Sequence, residues 1–225
     1  MRPNSLKRKW TDGVPTLNGW LTLPGGAGAE CLAQVDWDSI TVDLQHGLID
    51  FGAALSMLQA ISTTDIPPLV RAPANDPAMI GKLLDAGAYG VICPDIETRQ
   101  ACEDFVRACR YPPAGTRSFG PIRAAWYGGK DYARHANETI LAIAMIESRT
   151  ALENLEAILA TPGLDAIYVG PSDLSQSMGF EPRPGQLAPE VAAAVASVCD
   201  RARAHGIVPG VHCASVALAR EMVAA

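Results

Sequence analysis

Ile40-Thr41-Val42-Asp43-Leu44-Gln45-His46-Gly47 is the stretch from which the fold of this chain can be worked out. Its first three residues are β-branched and predict a short buried strand, and the residues after them predict a polar turn. In α/β proteins the C-terminal ends of parallel strands face the ligand, so Asp43 and His46 lie where chemistry takes place. Taken alone, the stretch is explained more simply by a structural turn aspartate and a structural histidine.

Six further strand patterns lie along the chain, and helical patterns alternate with them. They cover residues 17–23, 69–70, 89–93, 140–146, 166–169 and 208–211. This alternation predicts parallel βα units joined by right-handed crossovers. The nearest closed architecture is the TIM (β/α)8 barrel, which would form one domain over residues 1–225 and lack its eighth βα unit. An open doubly wound sheet also fits the alternation, but its glycine fingerprint is absent from the first turn.

Two segments depart from the βα pattern. Residues at about 110–138 form a long stretch rich in proline, glycine, arginine and aromatic residues. Loops of this length inside a compact domain usually act as lids or interaction segments, and we predict such a loop here. The N-terminal residues, which include Arg2, Lys7, Arg8 and Lys9, predict a solvated leading arm, because no apolar run of signal-peptide length follows them.

The composition restricts the classes of function and of partner. Hydrophobic residues make up 48% and charged residues 19% of the 225 residues, which is typical of a soluble globular protein. A net charge of −6 without a basic stripe argues against a nucleic-acid partner. No apolar run approaches the roughly 18 residues of a spanning helix, so we expect no membrane partner. Six scattered cysteines without a CxxC pair predict reduced thiols and a cytoplasmic protein.

Polar residues follow several of the predicted strands, and a barrel would bring them to one mouth. Two of them, Glu147 and Asp173, are carboxylates that suit a hard divalent cation, with Mg²⁺ expected first and Mn²⁺ or Co²⁺ as alternatives. His46 is a candidate for moving a proton and Arg71 for stabilising an oxyanion. The backbone N–H groups of Ser172 and Asp173 are candidates for receiving a substrate carboxylate. Arg71, Glu147 and Asp173, each taken singly, are explained more simply by surface ion pairs.

Six blocks of sequence, in order along most of the chain, carry a family resemblance. They are VDLQHG at 42–47, VRAP at 70–73, KLLDAGA at 82–88, RYPPAGTR at 110–117, IESR at 146–149 and VGPSDLS at 169–175. With these blocks the chain resembles the HpcH/HpaI aldolases. These are metal-dependent class II pyruvate aldolases that include 2-keto-3-deoxy sugar acid aldolases and 4-hydroxy-2-oxoheptanedioate aldolase.

The resemblance implies a role for each matching position. Glu147 and Asp173 would bind the metal, and Arg71 would contact the keto oxygen that becomes the enolate. His46 would be the acid/base, with Asp85 as its partner. Asp43, which lies outside this set, is expected to support the loop or a metal-bound water.

The resemblance also implies a reaction and an assembly. A 4-hydroxy-2-keto acid would be cleaved to pyruvate and an aldehyde through a pyruvate enolate, and the protein would be a homo-oligomer, commonly a hexamer. The eighth strand and final helix of the family would follow residue 225. Because a barrel without one strand leaves two unpaired edges, we expect a truncated chain rather than a seven-stranded protein.

Two other functions stay open at this point. One is a related carbon-carbon lyase that acts on a CoA thioester, as the citrate lyase β and malyl-CoA lyase relatives do. The other is a catalytically silent barrel that binds a keto acid or serves as an assembly subunit. The block at 110–117 favours the keto acid aldolases over the first alternative.

Overall fold

The structure is a computed structural model that describes residues 1–183 and 185–224. These residues contain seven strands, which confirms the predicted α/β class. The two strands predicted at 166–169 and 208–211 have the bounds that the sequence gives them. The strands are β1 (Asn18–Leu21), β2 (Ser39–Asp43), β3 (Pro68–Arg71), β4 (Gly90–Cys93), β5 (Leu141–Ile146), β6 (Ala166–Val169) and β7 (Val208–Val211).

The same described residues contain twelve helices. Two of them begin at the aspartate caps expected for their sequences, because Asp50 accepts a hydrogen bond from the Ala53 N–H (2.7 Å) and Asp76 from the Ala78 N–H (3.0 Å). The helices are α1 (Ser5–Thr11), α2 (Gly26–Leu32), α3 (Phe51–Ile61), α4 (Pro77–Asp85), α5 (Arg99–Cys109), α6 (Ile122–Gly128), α7 (Tyr132–Thr139), α8 (Arg149–Glu153), α9 (Leu155–Leu159), α10 (Pro171–Ser177), α11 (Pro189–Ala204) and α12 (Val216–Ala224).

The chain divides into two compact units, and the first comprises Met1–Ile92 and Phe105–Ala142. In this unit β1, β2, β3 and the first residues of β4 pair side by side in parallel. All five residues of β2 are buried, as its β-branched sequence predicts. The register places Asp43 opposite Arg71, so an acid and a base lie next to each other where β2 and β3 end.

The second unit comprises Cys93–Asp104 and Ile143–Ala225. Its strands, from Ile143 of β5 through β6 to β7, also pair in parallel and in chain order. All residues of β5 are buried, in agreement with its nearly continuous apolar sequence. Five residues of α11 form its buried face at helical spacing: Val191, Val195, Val198, Cys199 and Ala202.

Two predictions from the sequence are corrected in the first unit. The segment at about 110–138 is not a loop throughout, because it contains α6 and nearly all of α7. The N-terminal residues are not a solvated arm either. They form α1, whose Leu6 is buried, and the buried Asn4 side chain donates to the carbonyls of Tyr89 (3.3 Å) and Thr139 (2.9 Å). Short helices between glycines and prolines leave too few periodic positions to be recognised from sequence.

The packing of α1 has a measurable consequence for stability. Leu6 is 1% exposed, so we expect Leu6→Ala to lower the free energy of unfolding by about 2–5 kcal/mol through lost apolar burial and a residual cavity. Leu23→Ala is the matched control, since Leu23 is 67% exposed, and it should change stability by less than about 0.5 kcal/mol. Urea unfolding measures both, and equal effects would contradict the packed position of α1.

Among the described residues, none of the helices has the length and the apolar character needed to span a lipid bilayer.

Candidate active site

The ends of β2 and β3 carry a buried ion pair between Asp43 and Arg71. Arg71 Nε donates to Asp43 Oδ1 (2.8 Å) and Arg71 Nη2 donates to Asp43 Oδ2 (2.5 Å), so the contact is bidentate. Both side chains are almost completely buried. Because a planar guanidinium engaged by two parallel hydrogen bonds has little freedom to rotate, Asp43 fixes the orientation of Arg71.

The Asp43 carboxylate also organises the turn that follows β2 and one residue of β1. Its Oδ1 accepts the backbone N–H groups of Gln45 (3.0 Å) and His46 (3.2 Å), and its Oδ2 accepts the Trp20 Nε1–H (3.2 Å). The Trp20 ring lies 5.0 Å from the guanidinium carbon of Arg71. Asp43 therefore supports the loop, as predicted, and its two oxygens are occupied by five donors.

This arrangement sets the protonation of Asp43 and the sequence of the turn. Burial favours the neutral acid, but the hydrogen bonds and charge of Arg71 outweigh it and lower the pKa of Asp43. Gly47 ends the turn, and a Cβ at this position would lie 2.1 Å from the Asp43 carbonyl oxygen. Only glycine fits there. The turn exposes the side chain of His46, the predicted acid/base, at the ends of the strands.

Asp85, the predicted partner of His46, lies at the last position of α4 and contacts Arg117. The Arg117 Nη2 group donates to Asp85 Oδ1 (2.7 Å). Burial raises the pKa of the Asp85 carboxyl above its usual value, and Arg117 opposes this shift only in part. Among the contacts of the described residues, none joins Asp85 to His46, so that pairing stays a prediction.

In the second unit, Glu147 follows β5 directly and is 5% exposed. Its Oε1 accepts the backbone N–H of Asp95 (2.9 Å). Asp95 adopts a positive φ of 57°, which non-glycine residues rarely do, and this conformation accompanies the hydrogen bond to the carboxylate. A Cβ on Gly170 would lie 2.8 Å from Glu147 Oε2, so the absence of a side chain at Gly170 makes room for the second oxygen.

Gly170 is also the N-cap of α10, and Asp173 lies in the first turn of that helix with its side chain exposed. Ser172 is exposed beside it and lines a surface cleft together with Arg183 and His212. The cleft therefore has neutral and cationic polar groups near the start of α10. The predicted substrate contacts of the Ser172 and Asp173 N–H groups stay predictions.

The carboxylate oxygens of Glu147 and Asp173 are the kind of ligand that a divalent cation such as Mg²⁺ prefers. No cluster of three or more His, Cys, Asp or Glu side chains with metal-binding geometry occurs within residues 1–183 and 185–224. Mg²⁺ needs no such cluster, since it is commonly held by one or two carboxylates and completes its shell with water and substrate. Two contacts hold Glu147 as a candidate ligand: its Oε1 accepts the Asp95 N–H, and its Oε2 lies where a Cβ on Gly170 would clash with it.

Three residues around these groups were not predicted from the sequence. Trp20 lies within a predicted strand, and its contact with the Asp43–Arg71 pair depends on strand pairing. Asp95 follows β4 after Pro94. Its position just beyond a strand end is the signal by which it could have been found. Arg117 is 32 residues from Asp85 in sequence, and no local pattern links them.

Similarity to known proteins extends over nearly the whole chain. The family described as HpcH/HpaI aldolase/citrate lyase matches residues 20–224. The hydroxypyruvate/pyruvate aldolase of Rhizorhabdus wittichii is 43% identical over 98% of this chain and 88% of its own length. The 4-hydroxy-2-oxo-heptane-1,7-dioate aldolase of Salmonella dublin is 37% identical over 96% of this chain and 83% of its own length.

The fold of the chain is also similar to that of a solved structure from this family. The HpcH/HpaI aldolase/citrate lyase family protein from Burkholderia cenocepacia superposes with a TM-score of 0.89 at 35% identity, covering 97% of this chain and 88% of that chain. The match by sequence and the match by structure each extend over nearly the whole chain. The chain belongs to the HpcH/HpaI aldolase/citrate lyase family.

Proposed function

We propose that this protein is an aldolase, a carbon-carbon lyase that cleaves a 4-hydroxy-2-keto acid to pyruvate and an aldehyde through a pyruvate enolate. The observation that carries the proposal is the Asp43–Arg71 pair, which holds a guanidinium in one orientation at the ends of β2 and β3, beside the His46 turn. A fixed cation at a strand end suits an oxygen that gains negative charge during the reaction. The names of the two curated relatives support the same reaction class.

In the first unit, Arg71 and His46 have separate roles in this reaction. Arg71 uses Nε and one Nη2–H for Asp43, and we propose its Nη1 group as the donor to the substrate keto oxygen. His46 is exposed and takes the proton from the C4 hydroxyl, directly or through water, when the C3–C4 bond breaks. In the opposite direction it returns the proton to the aldehyde oxygen.

In the second unit, Glu147 and Asp173 would hold the divalent cation, with Mg²⁺ as the first choice and Mn²⁺ or Co²⁺ as alternatives. A bound cation supplies Lewis-acid stabilisation of the enolate charge. The backbone N–H of Asp95 keeps Glu147 Oε1 in place, and the absence of a side chain at Gly170 leaves room for Oε2. Ser172 and Asp173 are proposed to orient the substrate carboxylate through their N–H groups.

The finer architectural assignments belong to the same proposal. We propose a TIM barrel for the whole fold, a homo-oligomer such as a hexamer, and a cytoplasmic location. The seven parallel strands of the described residues, paired in chain order within each unit, support the barrel.

The rival lyase on a CoA thioester is less well supported by the contacts of the 110–138 segment. CoA carries phosphates that need accessible cations. Arg117 is buried against Asp85, and Arg123 donates to the Ala86 carbonyl (2.6 Å) and to Ser62 Oγ (3.0 Å). Arg117 and Arg123 are therefore engaged in contacts inside the protein and do not present free cations to the phosphates of CoA.

Exchange of the pyruvate methyl protons for deuterium tests the proposed function. We expect exchange in the presence of Mg²⁺ or Mn²⁺ and its loss after EDTA, because enolate formation needs the cation. Proton NMR of the methyl signal measures the rate without an aldehyde partner. Absence of metal-dependent exchange would overturn the aldolase proposal and favour a silent keto-acid-binding protein. Cleavage of a CoA thioester, with no action on free keto acids, would favour the rival lyase.

A further inference from the structure

Two arginines of the 110–138 segment hold the C-terminal end of α4. Arg117 donates to the Asp85 side chain, and Arg123 donates to the carbonyl of Ala86, the C-cap residue (2.6 Å). Arg123 also reaches the Leu58 carbonyl (3.2 Å) at the neighbouring helix α3. A segment that the sequence presents as a loop thus immobilises the helix end that carries Asp85.

Arg117 itself is held by Asp85 and by two tyrosines. Its side chain is fully buried, its Nη1 donates to the Tyr132 hydroxyl (3.0 Å), and the Tyr111 ring centroid lies 4.4 Å from its guanidinium carbon. A stacked and hydrogen-bonded guanidinium cannot turn away from its carboxylate partner. The Asp85 side chain is 29% exposed, so the pair joins a fixed buried cation to a carboxylate that reaches the surface.

Asp85 lies in an unfavourable place for a negative charge. It is the last residue of α4, where the carbonyl ends of the helix make the potential negative. Burial adds a second penalty and raises the pKa of the carboxyl. An acid at this position does not stabilise the helix, which indicates that Asp85 has a functional role.

We infer that Arg117 is a positioning residue that holds Asp85 ionised and in one orientation for the acid/base chemistry of the site. Arg117 engages Oδ1, whereas Oδ2 faces Gly120, whose Cβ position lies 3.7 Å away. Oδ2 is therefore the Asp85 oxygen that is not bonded to Arg117. This inference rests on the proposed function, in which Asp85 assists the proton-transferring histidine.

Among the charged and titratable groups near Asp85, Arg117 is the cation that pairs with its carboxylate. Tyr111 and Tyr132 contact the guanidinium and carry hydroxyls that stay neutral near pH 7, because burial raises the pKa of each. Lys82, one turn earlier on α4, lies over the Phe51 ring at 4.2 Å. Arg123 is directed to backbone carbonyls.

The test is the titration of Asp85 in full-length protein labelled with ¹³C at the aspartate carboxyl carbons, with Asp85→Asn identifying the signal. Arg117→Met should raise the titration midpoint by at least about one pH unit, a tenfold loss of ionised carboxylate at pH values well below the midpoint. Arg117→Lys, which keeps the charge but not the planar fork, should give a smaller rise. Arg134→Met, which removes a charge from an exposed position of α7, is the control and should leave the midpoint unchanged.

The pH profile of pyruvate exchange gives a second readout. Its acidic limb should move to higher pH in Arg117→Met by the same amount as the Asp85 midpoint, since a positive charge that favours the ionised acid has been removed. An unchanged midpoint in folded Arg117→Met would overturn the inference. If Arg117→Met does not fold, an unchanged midpoint in Arg117→Lys together with an unchanged profile overturns it. Wild-type protein without exchange would overturn the aldolase proposal, whereas the carboxyl titration still decides the role of Arg117.

Discussion

Glu147→Gln is expected to weaken Mn²⁺ binding by at least about 100-fold and to abolish metal-dependent pyruvate exchange, because the substitution removes the negative charge of a proposed ligand. The amide has the shape of the carboxyl group, and its oxygen can still accept the Asp95 N–H. The fold should therefore be kept, so that a lost activity reports on the metal. Isothermal titration with Mn²⁺ measures the affinity, and the methyl exchange rate measures the chemistry.

Glu153→Gln is the matched control for this prediction. Glu153 ends α8, six positions along the chain, and its side chain is exposed, so the same change of charge is made away from Gly170. Its metal affinity should remain at the wild-type value. Undiminished Mn²⁺ binding by Glu147→Gln would mean that the assignment of this carboxylate as a ligand is wrong.

Arg71→Met is expected to lower the free energy of unfolding by about 3–5 kcal/mol at pH 7, because it leaves the buried Asp43 charge without its cation. The double variant Asp43→Asn with Arg71→Met should recover part of the loss, since the uncompensated charge is then gone. Trp20→Phe, which keeps the pair and removes one hydrogen bond, should cost only about 0.5–1.5 kcal/mol. Urea unfolding of the four proteins measures these differences.

The pH dependence of the same measurement has a defined sign. The pKa of Asp43 in the folded protein lies below its ordinary value of 3.8, so its pairing stabilises the fold above pH 3.8 and loses that effect as the pH falls through the lower folded value. In Arg71→Met, burial acts without the cation and raises the pKa of Asp43. The stability gap between wild type and variant should therefore narrow as the pH falls toward and below 3.8. If the difference in stability stays constant with pH, the loss of stability in Arg71→Met does not come from the Asp43–Arg71 pair.

Much of the fold was predictable because its signals are local. The strand β6 is a short apolar run followed by Gly170, and Asp50 and Asp76 precede helices as caps. Leu152, Leu155, Ile158 and Leu159 have the spacing of one helix in the sequence, but the structure breaks that helix at Asn154. The Asn154 side chain donates to the Glu97 carbonyl (2.9 Å), a contact that no pattern within the helix reveals.

The candidate site divides in the same way. Arg71 and Glu147 were predicted from their positions at the end of β3 and directly after β5, and their roles stay predictions. Asp43 was predicted to support the loop or a metal-bound water, and its hydrogen bonds to Gln45 and His46 confirm the first of these. The partner of Asp85 was not predictable. Arg117 belongs to a segment that looked like a loop, and its burial depends on aromatic residues on both sides of it in sequence. Side chains that contact across distant segments leave no periodic trace.

The occupied oxygens of Asp43 have a consequence for the entropy of ligand binding. Arg71 loses its rotational freedom when the chain folds, because Asp43 and the Trp20 ring already hold it. A substrate oxygen that arrives at Nη1 therefore does not have to order this side chain, and that part of the entropic cost of association is absent. Arg71 should accordingly have the same rotamer in the free and the ligand-bound protein.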